Sequence, residues 1–169
     1  LFRPLTDDAT AAIRVNNIGE AFDAIGRQNP ELKKIADKLK KFNTNTGIRY
    51  AEVRDTFNQR KAGYYDTGTN VITIDPDFGG SPHTLLHEAT HAATHALLKK
   101  DANPKNPKHF LVKQIREIFE ESKEFIDPDL YQGAFRFNEK ENAVFDLEEF
   151  VAEFFSNPEF QQALSEIRY

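Results

Sequence analysis

Apolar residues recur at helical spacing in the early part of the chain. Ala12, Val15, Ile18, Phe22 and Ile25 line one side of a predicted helix over 8–25, which closes before Gly26. Leu32, Ile35, Ala36 and Leu39 predict a second helix over 30–42, and Asn43 to Gly47 form a turn-rich break. The pattern then changes to alternation. Ile48, Tyr50 and Val53 predict a strand over 48–54. Gly63 to Asp66, a turn at Thr67-Gly68, and Thr69 to Asp75 read as a β-hairpin, in which Val71-Ile72-Thr73-Ile74 has the strongest strand character. Ser81 is suited to cap a helix with Pro82 at its first position. That helix is predicted over 82–100, and its terminal Lys99 and Lys100 suit the negative end of the dipole. A loop at Asn103–Pro107, a helix over 108–126, a polar irregular stretch over 127–140, and helices over 141–156 and 158–168 complete the chain. The expected fold is α+β: a small antiparallel sheet packed on helix 82–100 and surrounded by helices. Residues 1–45 read as a helical N-terminal extension and 46–169 as the main domain.

Composition narrows the classes. With no Cys among 169 residues, disulfides and thiolate metal sites are excluded. No apolar run approaches the ~20 residues needed to span a bilayer, so no membrane association is expected. No N-terminal secretion signal is visible. The chain begins at Leu1 and contains no Met, so it is expected to be processed from, or part of, a larger parent chain. The net charge of −5 is unevenly distributed. Residues 1–62 carry 12 Lys/Arg against 8 Asp/Glu, and residues 63–169 carry 10 against 19. An acidic C-terminal part argues against nucleic acid as a partner. The lysines at 33, 34, 38, 40 and 41 read as the solvated face of a helix.

The informative motif lies within helix 82–100: His87-Glu88-Ala89-Thr90-His91. Spacing of i and i+4 sets both imidazoles on one face, one turn apart, where their nitrogens can meet one zinc ion. Glu88 projects beside the pair. It is placed to take a proton from a metal-activated water rather than to bind the metal. Leu85, Leu86, Ala89, Ala92, Ala93, Ala96, Leu97 and Leu98 predict a mostly buried helix. Burying two histidines and a glutamate there without partners is costly, and a metal gives them a reason to be present. His83 and His95, one turn either side, are expected as pocket-wall or supporting residues.

A catalytic zinc takes three protein ligands and keeps one position open. An H-E-x-x-H-x-x-G-x-x-H pattern fails, because Thr94 and Leu97 stand where Gly and His are required. Two candidates remain for the third ligand: His109 and Glu149. Glu149 is favoured. Its helix carries Val144, Leu147, Val151, Phe154 and Phe155 for the core, and small Ala152 permits close approach. Glu153, one turn on, can hydrogen-bond a ligand imidazole. The alternative for Glu149 and Glu153 is a pair of solvated carboxylates.

The His87-Glu88-His91 motif with the downstream Glu149-Phe150-Val151-Ala152-Glu153 segment resembles the gluzincin metallopeptidases. The resemblance is to anthrax-lethal-factor-like catalytic domains and to small gluzincin domains of phage and mobile-element polyproteins. It covers Gly63–Asp75, Thr84–Ala93 and Glu149–Leu164. It implies Zn²⁺ held by His87, His91 and Glu149, with Glu88 as general base. It implies hydrolysis of a peptide or protein substrate, and a strand over 70–75 that runs antiparallel to that substrate. Such domains often place an oxyanion-stabilising Tyr seven residues before the ligand Glu, and here Asn142 occupies that position. Tyr131, Tyr64 and Tyr65 are the possible replacements. The alternative is a catalytically weak or inactive gluzincin-like module, serving as a structural or interaction part of a larger protein.

Overall fold

The computed structural model describes residues 3–100, 110–127, 130–131, 134 and 143–167. It is α+β. Its elements in chain order are α1 (Asp7–Arg14), α2 (Ile18–Gln28), a 3-10 turn (Pro30–Leu32), α3 (Lys33–Phe42), β1 (Gly47–Tyr50), β2 (Gly63–Asp66), β3 (Val71–Ile74), α4 (Pro82–Lys100), α5 (Phe110–Phe125), α6 (Ala143–Ser156) and α7 (Pro158–Ser165). Among the described residues, no helix is long and apolar enough to cross a membrane. The chain forms two compact units, Leu1–Ala93 and Thr94–Tyr169.

In the first unit, the single helix expected over 8–25 is two. The chain breaks at Asn16, whose backbone takes a left-handed φ of 58°, a conformation that Asn tolerates better than most residues. Asn17 then caps α2 by accepting from the Glu20 amide (3.1 Å). The Asn16 side chain also serves the sheet, where its Oδ1 accepts from the Ile48 amide (2.8 Å) and closes the outer side of β1. The apolar periodicity runs through the break because both helices bury residues in one core. Ala9, Ala12 and Ile13 of α1 join Ala21, Phe22 and Ile25 of α2, Ala36 and Leu39 of α3, the sheet's Ile48, Ile72 and Ile74, and Leu85, Leu86 and Ala89 of α4. Residues 1–45 therefore share the core of the sheet, and the compact units divide between Ala93 and Thr94.

The sheet has the order β1-β3-β2. The hairpin is as expected: β2 and β3 pair antiparallel, with Gly63 opposite Ile74 and Asp66 opposite Val71. The expectation of a wholly antiparallel sheet is corrected, because β1 pairs parallel with β3. The hairpin returns β3 between the two earlier strands, which gives it the direction of β1 and makes the sheet mixed. This also corrects the role foreseen for strand 70–75. Its edges are occupied on both sides, so it has no free edge for a further chain. Among the described residues, an open edge belongs instead to β2.

A buried carboxylate organises the passage from the sheet to α4. Asp75 is fully buried. Its oxygens accept from the amides of Val53 (3.1 Å), Asp77 (2.9 Å) and Phe78 (3.2 Å) and from the Arg60 guanidinium (2.8 Å). Arg60 also lies over the Phe78 ring, 4.8 Å from its centre. Close by, the Gly79 amide donates to the Asp75 carbonyl (2.8 Å). A Cβ on Gly79 would lie 1.8 Å from the Ala62 carbonyl oxygen, so only glycine fits there.

Burial works to raise the pKa of Asp75, but the backbone donors and Arg60 outweigh it and hold the carboxyl below its ordinary value. A lowered folded-state pKa stabilises the fold above the unfolded-state pKa. That stability is lost as pH falls through the folded value. We therefore expect Asp75→Asn to lower Tm by several degrees near neutrality and to flatten the acid limb of a Tm-against-pH curve. An acid limb identical to that of the wild type would show that Asp75 is not its source.

In the second unit, Leu98, Val112, Phe119, Leu147, Phe150, Val151, Phe160 and Leu164 form a separate core cluster. Phe150 packs edge-on against both Phe119 and Phe160, with ring centres 5.1 and 5.5 Å apart. Asn157 starts α7 by accepting from the Glu159 and Phe160 amides, at 3.0 and 3.3 Å.

Candidate functional site

α4 begins as its sequence indicates. Ser81 Oγ accepts from the Thr84 amide (3.4 Å), and Pro82 occupies the first helical position. Leu85, Leu86 and Ala89 are fully buried and seat the helix in the first core. This orientation fixes the motif. The Nε2 atoms of His87 and His91 face one another at 3.1 Å, and their rings lie edge-on with centres 4.8 Å apart. Two nitrogens bound to one tetrahedral zinc at about 2.0–2.1 Å stand about 3.3 Å apart. The pair is thus already near the spacing of a shared metal. Among the described residues there are His/Glu groups geometrically able to hold a metal ion, and His87 is common to them.

Glu88 is buried on α4 beside β2. Gly63 is what allows this approach, since a Cβ there would lie 3.1 Å from Glu88 Cγ and 2.9 Å from Thr84 Cγ2. His83 packs against His87, with ring centres 5.8 Å apart. Asn43, which the sequence marks only as part of a turn, is fully buried. Its Nδ2 donates to the Leu39 carbonyl (2.8 Å) and to the Ala89 carbonyl (3.2 Å). It therefore ties the end of α3 to α4 between the two motif histidines. An Asn just after a helix is the visible signal, but its bond to a residue 46 positions away is not.

In the second unit, Glu149 lies half-buried on α6, beside fully buried Ala152. Buried Glu153 accepts from Asn157 Nδ2 (2.7 Å), which links it to the start of α7. The carboxylate that meets His95 is Glu148, at 2.9 Å from Nδ1. Sequence reasoning assigns Glu148 no role, because the pairing joins residues 53 positions apart. His109 and Asn142 lie outside the described residues.

The three tyrosines differ in availability. Tyr131 packs its ring against Phe160, with centres 5.1 Å apart. Tyr65 donates its hydroxyl to Asn70 Oδ1 (2.8 Å), and burial, with nearby Asp66, pushes its phenol above the ordinary pKa. Tyr64 alternates to the other face of β2 and is exposed. Comparison of the chain with protein-family models, with curated proteins and with solved structures gives no match.

Proposed function

We propose that this chain is a zinc-dependent endopeptidase of the gluzincin type, with a zincin-like arrangement of sheet and α4. The observation that carries the reading is the approach of the His87 and His91 Nε2 atoms to 3.1 Å, with a buried glutamate between them in sequence. The donor set suits zinc: two imidazoles, completed by the Glu149 carboxylate as third ligand. When bound, zinc supplies Lewis acidity for hydrolysis. The chain's own residues do the rest. Glu88 takes the proton of the attacking water at its carboxylate and returns it to the leaving amine. Burial of Glu88 against β2 limits its contact with bulk solvent.

The open edge of β2 supports a peptide as substrate. The Asp75 amide bonds the Ala62 carbonyl (2.9 Å), so in the alternating antiparallel ladder Tyr64 and Asp66 bond β3. The backbone groups of Gly63 and Tyr65 then point outward, and a Cβ on Gly63 would lie 3.1 Å from Glu88 Cγ, so this end of the edge is close to the glutamate. An extended peptide can add there as a further strand. The test is digestion of a diverse peptide library by the zinc-loaded chain. Cleavage should stop with a chelator and return with zinc. No cleavage at full zinc loading would replace this reading with that of a structural or interaction module.

A further inference from the structure

We propose that Gly63 is a positioning residue for Glu88: the missing side chain on β2 is the space that seats the glutamate. The proposal deepens the enzymatic reading and rests on it for its catalytic consequence. Its geometric part stands alone. An ideal Cβ on Gly63 would meet Thr84 Cγ2 at 2.9 Å, Glu88 Cγ at 3.1 Å and the Thr73 carbonyl at 3.3 Å. Both side chains belong to α4, one turn apart, so the strand presses on a single face of the helix. Gly63 has no positive φ, so turn geometry does not call for glycine here. Gly63 opens β2 and pairs with Ile74 in the ladder, and glycine in a strand often marks a close approach of backbone to a neighbour, which is the reason for it here.

Neither neighbour can yield without consequence. Thr84 bonds the capping Ser81 through its amide (3.4 Å), and its hydroxyl lies 3.3 Å from Ser81 Oγ. Glu88 is buried, and a β-carbon at position 63 would turn it away from β2. The three atoms nearest that Cβ include none of His87 or His91, whose Nε2 atoms face each other at 3.1 Å. Gly63→Ala should therefore separate the seating of the general base from metal binding.

The test combines two readouts in the full chain. The first is thermal stability in a double-mutant cycle. Gly63→Ala should lower Tm in the wild type and in Glu88→Gln, which keeps Cγ. It should cost clearly less in Glu88→Ala, which removes it. The second readout is hydrolysis by Gly63→Ala/Thr84→Ser. Here the serine deletes the methyl at 2.9 Å and leaves Glu88 as the displaced neighbour. Zinc affinity and KM should stay within about threefold of wild type. The kcat should fall about 10- to 100-fold, the scale of a roughly 1 Å misplacement. That loss should vanish in the Glu88→Gln background.

Equal Tm losses in the Glu88→Ala and Glu88→Gln backgrounds would overturn the proposal. So would an unchanged kcat, or a kcat loss that persists without the Glu88 carboxylate. If the coupling in Tm is present but the wild type cleaves nothing, the seating of Glu88 by Gly63 is upheld and the peptidase reading falls.

Discussion

Glu88→Gln is expected to keep the fold and the zinc while losing about 10²–10⁴-fold in hydrolysis, the usual contribution of a general base. Gln matches the shape of Glu and preserves the packing against Gly63 and Thr84, including the close approach of Cγ to β2. What it lacks is basicity. On the proposed reading the metal is held by His87 and His91, whose Nε2 atoms face each other, so removing the charge at 88 would take away no ligand. Turnover of one cleavable peptide by wild type and variant, each checked for full zinc loading, measures the effect. Equal turnover would remove Glu88 from the role of base.

A comparably large effect is expected on metal affinity from Glu149→Ala. Loss of an outer-shell partner typically costs 10–100-fold in affinity, and loss of a direct ligand should exceed that, at about a hundredfold or more. His109→Ala should change affinity little. Zinc competition titrations against a chelator of known affinity give both values. The reverse ranking would move the protein to a three-histidine site and release Glu149 for another role. Glu153→Ala should fall between the two. It is buried and bonded to Asn157, and on this reading it supports the site without binding the metal.

Local signals are legible in the sequence wherever the chemistry is local. Ser81 and Pro82 announce the start of α4. The run Val71–Ile74 announces β3, and the i, i+4 histidines announce a shared face. What stays hidden depends on distant partners. The periodicity over 8–25 gives no warning of the break at Asn16. Both helices face one core, and the break is stabilised by a bond to Ile48, 32 residues away. The parallel pairing of β1 cannot be read from alternation, which reports which face is buried and not which strand is adjacent. Assigning substrate to strand 70–75 fails for the same reason, since a strand's own residues do not say that both its edges are taken. Glu148 does not stand out from its neighbours Glu149 and Glu153, because its partner His95 lies in another helix.

The most direct test of the central claim is elemental analysis of the chain purified without chelator. The facing imidazoles of His87 and His91 predict one zinc per chain, retained through gel filtration and lost in His87→Ala and His91→Ala. A chain that carries no metal, and that fails to rebind zinc tightly on titration, would contradict the account.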